Sequence, residues 1–320
     1  MQEVLFLKHN AAKWQEFEEL LAAAQRVDPD TLARLFIELA DDLSYARTYY
    51  PQSPTVNYLN GLTSKVHQKI YRNKKETSRR FFSFWACELP QLFAQVQREL
   101  LYACVIFALA VFVGVVSAAN DDSFVRMILG DAYVNMTLAN MEDDDPLAVY
   151  KSMHQIDMFL GLTVNNIYVS FMAFSAGVLF SFGAGYVLFN NGVMLGVFHY
   201  LFYENGLLSN VFLTVWIHGT LEISAIVIAG SAGLVVGNSI LFPGTYSRLQ
   251  SFRSGAAQGI KIVIGLVPLF VAAGFLEAFV TRHNTEMPMW LSLSIILTSF
   301  VFVLWYFIIY PLQLKYREEA

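Results

Sequence analysis

From residue 207 to residue 242 the chain runs for 36 residues with one carboxylate, Glu222, one imidazole, His218, and no lysine or arginine. A soluble surface element cannot carry such a run, because apolar side chains would meet water on every face. It belongs in hydrocarbon. Similar nearly uncharged stretches at 100–119, 167–189, 259–280 and 288–310 are each long enough to cross about 30 Å of bilayer core. With a shorter apolar run at 192–203, they predict six transmembrane helices. As one helix, 207–242 would be roughly 54 Å long, so a break is expected at His218-Gly219. That would leave an interfacial helix at 207–217 and a true span from 219. Short, Gly-interrupted neighbours such as 192–203 and 207–218 mark places where irregular backbone lines a cavity, and the pair either spans or re-enters.

Composition agrees. Of 320 residues, 56% are hydrophobic and 15% charged, against about 45–50% and about 25% in an ordinary soluble domain. The charge is uneven: 20 of 26 acidic and 15 of 21 basic residues precede residue 166. With 27 Phe, 16 Tyr and 5 Trp, disorder is excluded. A net charge of −5 gives no basis for nucleic-acid binding. Two cysteines, Cys87 and Cys104, cannot build a disulfide framework. Glu3, Glu16, Glu18 and Glu19 interrupt the start of the chain, so no cleaved signal peptide is expected.

The fold class expected is therefore all-α: a polytopic integral membrane protein with an N-terminal cytoplasmic helical domain over 1–97 and a transmembrane domain over 98–320. In the first part, Trp14, Phe17, Leu20 and Leu21 recur at helical spacing. Asp30 is positioned as an N-cap, and Ser53-Pro54 reads as a cap followed by proline at the first helical position. Residues 65–80 hold seven basic side chains around Glu76 and run into Phe81, Phe82, Phe84 and Trp85. A basic stretch followed by aromatics suggests a membrane-surface segment over 65–95 on anionic lipid; a solvated basic face of a bundle helix is the plainer reading. Thirteen Lys/Arg before the first span place the N-terminus inside. Crossing once puts the acidic segment 120–165 outside, and six spans return the C-terminus to the cytoplasm. Within that segment the Glu142 to Asp145 cluster offers carboxylates to Ca²⁺, but Asp145-Pro146 reads better as a cap and first helical residue.

Ionisable groups inside a span are costly and point to a functional site. His218 and Glu222, at i and i+4, share one helix face. Thr214, Ala225, Ala229 and Gly233 extend that face as a stripe suited to helix contact. Glu277 lies near the outer end of the fifth span, and Asn165 and Asn166 open the second span on the same side. One imidazole and two carboxylates (His218, Glu222, Glu277) have the donors for a divalent metal such as Zn²⁺, with a fourth position open to water. The same groups suit a proton relay or a transported cation, or they hydrogen-bond one another and cap helix ends. Spacing leaves these readings open. No His-Glu-x-x-His run, Gly-x-Ser-x-Gly elbow or Walker loop is present. The pairs Gly192/Gly196, Gly233/Gly237 and Gly255/Gly259 predict close helix packing within the chain or between two copies in a homodimer.

The run His218-Gly219-Thr220-Leu221-Glu222-Ile223-Ser224-Ala225, continued by Ala229-Gly230-Ser231-Ala232-Gly233-Leu234, resembles the signature of the stage II sporulation protein M family. Phe189-Asn190-Asn191-Gly192 and Phe275-Leu276-Glu277-Ala278-Phe279 are similar to its other recurrent patches. Leu39-Ala40-Asp41-Asp42-Leu43-Ser44-Tyr45-Ala46-Arg47, with Leu59-Asn60 and Tyr71, resembles bacterial members with a long cytoplasmic domain. The resemblance implies a polytopic bacterial membrane protein. In spore formers the namesake belongs to the engulfment machinery and localises peptidoglycan-degrading partners rather than cleaving anything itself. Relatives elsewhere are encoded beside MoxR-type ATPases and von Willebrand factor A-like proteins, and the large N-terminal part aligns this chain with them rather than with sporulation. By motif, the resemblance marks Asn191, Gly192, His218, Gly219, Glu222 and Glu277 as the site. The expected function is non-enzymatic partner assembly in the cell envelope, with membrane lipids as neighbours and Trp14, Tyr49, Tyr50 and Tyr71 as docking candidates. The alternative is an intramembrane metal-dependent hydrolase or an ion- or proton-coupled transporter.

Overall fold

A computed structural model describes residues 3–22, 29–71, 82–142, 148 and 154–319. Among these the fold is all-helical, as expected. The chain divides into two compact units, Met1–Phe81 and Phe82–Ala320.

The first unit contains α1 (Glu3–Ala22), α2 (Pro29–Tyr49) and α3 (Pro54–Tyr71). Apolar positions three and four apart gather Phe6, Trp14, Phe17, Leu35, Leu39, Leu43, Leu59 and Leu62 into one core. The Trp14 indole N–H donates to Asp42 at 2.8 Å, and Lys13 pairs with the same carboxylate. Trp14 is thus a core residue, whereas Tyr49 is exposed and Tyr50 half-buried; the side chain of Tyr71 lies outside the described residues. Ser53 caps α3, its hydroxyl accepting the Thr55 N–H at 3.1 Å. Helix α2 is described from Pro29, and the cap expected at Asp30 rests on residues and a side chain outside the described ones. The basic residues of 72–81 lie outside the described residues.

The second unit opens earlier than residue 98. A π-helical turn (Phe84–Glu88) leads into α4 (Leu89–Gln95), whose Leu89 and Phe93 are fully buried in this unit's core. The Trp85 N–H donates to the Gly265 carbonyl at 3.1 Å, which fixes the aromatic end of 65–95 against protein. Helix α5 (Gln97–Asn120) follows. The acidic segment is not an open loop: α6 (Asp122–Leu129) and α7 (Asp131–Glu142) form within it. Residues 143–147, with most of the acidic cluster, lie outside the described residues.

The next boundaries correct the sequence reading. The second long helix is α8 (Gln155–Ala176), and the third, α9 (Phe182–Glu204), is regular throughout. The chain turns at 177–181, inside the stretch expected as one span over 167–189. Gly177 allows this, because a Cβ there would collide with the Gly233 carbonyl. Phe180 and Ser181 complete the turn at φ 53° and 65°. Asn190 and Asn191 do not break α9; the Asn191 amide donates back to the Val187 carbonyl at 2.8 Å. The expected break at His218-Gly219 is also absent. Helix α10 (Leu208–Leu241) is continuous over 34 residues, about 51 Å, since its lower half is buried by neighbours on all sides. The irregular backbone lies elsewhere: α11 (Arg248–Phe275) passes into a π-helical turn (Leu276–Val280) and a 3₁₀ turn (Thr281–Glu286). Helix α12 (Met289–Leu304), another π turn (Trp305–Ile309) and α13 (Tyr310–Glu319) finish the chain.

Five of these stretches are long and apolar enough to cross a membrane: Gln97–Asn120, Gln155–Ala176, Leu208–Leu241, Arg248–His283 and Met289–Arg317. Helix α9, with 23 residues, has the length but carries Asn190, Asn191 and His199. Helix α10 is the hub, contacting α5, α8, α9, α11 and α12. The small-residue pairs serve packing within the chain: Gly192 against Ala110, Gly233 against Ala184, Gly259 against Phe174. Side chains such as Leu101, Leu109 and Phe112 point outward, as hydrocarbon contact requires.

Candidate functional site

The π turn at Leu276–Val280 inserts an extra residue into a helix, and such bulges re-aim side chains at functional sites. Here it directs Glu277 at α10. His218, Glu222 and Glu277 each place one donor atom within 4.8 Å of the other two. His218 is 4% and Glu277 7% exposed, and Glu222 is half-buried. The His218 Nε2 stands 3.7 Å from Glu277 Oε1. Its Nδ1 lies 3.0 Å from the Thr281 hydroxyl. With Thr281 Oγ1 accepting from Nδ1–H, the ring presents the Nε2 lone pair to the carboxylates.

The remaining candidates divide. Asn166 is buried, with its amide beside the Glu222 carboxyl. Asn165 is exposed and only donates to Asn166 Oδ1, at 3.4 Å. Asn191 reaches the same space from α9, across a cavity of about 380 Å³ that touches all three donor residues. Gly192 is a packing position on α9. Gly219 meets only the Ile223 and Val215 side chains, and Gly233 lies a turn-rich distance further along α10 against Ala173 and Ala184. Neither breaks the helix.

The rest of its lining is mostly apolar, with Phe107, Met194 and Phe198 beside Ile128 and Tyr133 from α6 and α7, so the acidic segment contributes to the cavity wall. Asp121 sets the start of α6: its carboxylate accepts both the Ser123 hydroxyl (2.6 Å) and the Ser123 backbone N–H (2.9 Å). Hydrogen bonding by Ser123 holds this carboxyl below its ordinary range.

Two buried side-chain oxygens lack hydrogen-bond partners among the described residues: Glu277 Oε2 and Thr163 Oγ1. Both belong to one neighbourhood, since Thr163 faces Gly274, one turn before Glu277. Burying polar groups without partners is costly. Two carboxylates with one imidazole so close also need a counter-charge, a proton or a cation, to sit in a membrane. The arrangement can hold a divalent ion or share protons.

Sequence reasoning found the triad but missed Thr281, whose signal was available: it follows Glu277 by four residues, one helical turn. It also missed the His199–Trp216 pair, in which the indole N–H donates to His199 Nε2 at 3.0 Å.

Fold and site together define a polytopic α-helical membrane protein with a buried His-Glu-Glu cluster beside an apolar cavity. The model of the family described as Stage II sporulation protein M matches residues 103–282, which include the whole cluster and more than half of the chain. The chain belongs to that family. A second model, described as a domain of unknown function (DUF8413), matches residues 4–72, the described helices of the first unit. No curated protein and no solved structure matches the chain.

Proposed function

We propose that this chain is a non-enzymatic inner-membrane protein of the bacterial cell envelope that assembles or localises partner proteins. Both termini are cytoplasmic in this reading, as the thirteen Lys/Arg before the first span favour. The observation that carries it is the sealing of α10 beyond the site. From Ala225 to Gly237 every residue of that helix is buried, and Gly233 and Gly237 abut Ala173, Ala184 and Ser181. That buried, closely packed stretch favours a one-sided binding protein over a conduit. The N-terminal helices, a separate unit with its own core, suit docking to a cytoplasmic partner such as a MoxR-type ATPase or a von Willebrand factor A-like protein.

Crosslinking the full chain in its own membrane and co-purifying the encoded neighbours tests this. The ATPase or its companion is expected to be recovered, and less of it with Ile37→Glu, which alters an exposed apolar position outside the core. Recovery of neither neighbour after crosslinking refutes the reading. A second reading, an intramembrane hydrolase using His218, Glu222 and Glu277, is favoured by their convergence beside the cavity. It requires Glu222→Gln to abolish function in a chain that still folds.

A further inference from the structure

We propose that His218, Glu222 and Glu277 bind a divalent transition-metal ion, Zn²⁺ by its chemistry, with Thr281 orienting the imidazole. Zn²⁺ ligand bonds of about 2.0–2.2 Å in a tetrahedral site put neighbouring donor atoms roughly 3.4 Å apart. His218 Nε2 and Glu277 Oε1 are already 3.7 Å apart, and all three donors lie within 4.8 Å. Closure needs side-chain adjustments of about an ångström rather than movement of α10 against the π turn.

An independent observation points to the same ion. Glu277 Oε2 is buried and has no hydrogen-bond partner among the described residues, although the π turn directs its side chain at the imidazole. A carboxylate turned into the helix bundle and left short of partners is explained by a cation. Two carboxylates and one neutral imidazole supply charge −2, which a dication balances. Thr281 completes the design: a metal-bound histidine almost always donates its second ring N–H to an oxygen, and the Thr281 hydroxyl stands 3.0 Å from Nδ1. Three protein donors beside a cavity leave a fourth position for water or another ligand.

This does not depend on partner docking. The test is the metal content of the full-length, tag-free protein in detergent, followed by calorimetric titration of metal-stripped protein with Zn²⁺, with Mg²⁺ and Ca²⁺ as comparators. Wild type is expected to carry near-stoichiometric metal and to prefer Zn²⁺. His218→Ala and Glu277→Gln should lose it while still unfolding cooperatively. Thr281→Val, which keeps every ligand, should weaken Zn²⁺ binding about 10–100-fold; it also serves if a ligand variant does not fold. Stripped wild type that takes up no Zn²⁺ overturns the proposal, as does Zn²⁺ binding unchanged by Thr281→Val and retained by either ligand variant that folds.

Discussion

The most exacting test of the packing is at the contact of α5 and α9. Gly196 of α9 lies directly on α5: a Cβ built there would fall 3.0 Å from the Val115 amide nitrogen and closer still to the Val111 carbonyl oxygen. Both obstacles are backbone, so no rotamer change relieves them. Gly196→Ala must push the helices apart, and overpacking of this kind costs about 1–3 kcal/mol, with the upper end expected where backbone meets backbone. Replacing a mid-helix glycine returns about 1 kcal/mol in helix propensity, leaving a net loss of about 2 kcal/mol. Gly185 is the control. It lies on the same helix, and a Cβ there meets nothing within 4 Å, so Gly185→Ala should gain that propensity without the clash. The two variants should differ by about 3 kcal/mol in denaturant or thermal unfolding in detergent. Gly114 of α5 meets the Val193 backbone at the same contact. Once one alanine has separated the helices, a second costs less, and Gly114→Ala with Gly196→Ala should destabilise by less than the sum of the singles. Equal stability of Gly196→Ala and Gly185→Ala would refute the reasoning.

Three other outcomes follow from the structure. Phe307 is 1% exposed and packs edge-to-face on Phe93 with centroids 4.9 Å apart; Phe307→Ala should cost about 3–5 kcal/mol by the same unfolding assay. Asp121, held below the ordinary carboxylate range by Ser123, stabilises the start of α6 at neutral pH and loses that contribution as pH falls through its folded value. The protection of the Ser123 amide, taken relative to its intrinsic exchange rate at each pH, should therefore fall on acidification in wild type and depend less on pH in Asp121→Ala. In a chain with Cys87 and Cys104 replaced by Ser, a membrane-impermeant maleimide should label Ser209→Cys but not Thr245→Cys in intact cells. The reverse pattern inverts the topology.

Much of the fold was legible in one dimension. Uninterrupted apolar length fixed the membrane class and four of the long helices near their observed places, because hydrocarbon thickness imposes a minimum run whatever the packing. The cap at Ser53-Pro54 was legible because its chemistry is local. The turn at 177–181 was not. Its residues are as apolar as the helices on either side, and only the fit of Gly177 against Gly233 shows why the chain reverses there. Asn190-Asn191-Gly192 looked like a break, yet Asn191 satisfies its amide on its own helix and Gly192 exists for α5. His218-Gly219 also looked like a break, but the neighbours that bury α10 hold it straight through that point.

The candidate site divides along the same line. The sequence by itself determined which ionisable residues lie within apolar spans, and the helical period put His218 and Glu222 on one face. The third member was decided by tertiary structure. Glu277 is 55 residues from Glu222, and nothing in the period of its own helix says where it points. The π turn changes that direction by one residue, and the packing of α11 on α10 sets its distance. The cavity wall likewise depends on α6 and α7, which supply Ile128, Leu129 and Tyr133. Composition reports the cost of placing a residue in the membrane; only the packed backbone reports which other residues share that cost.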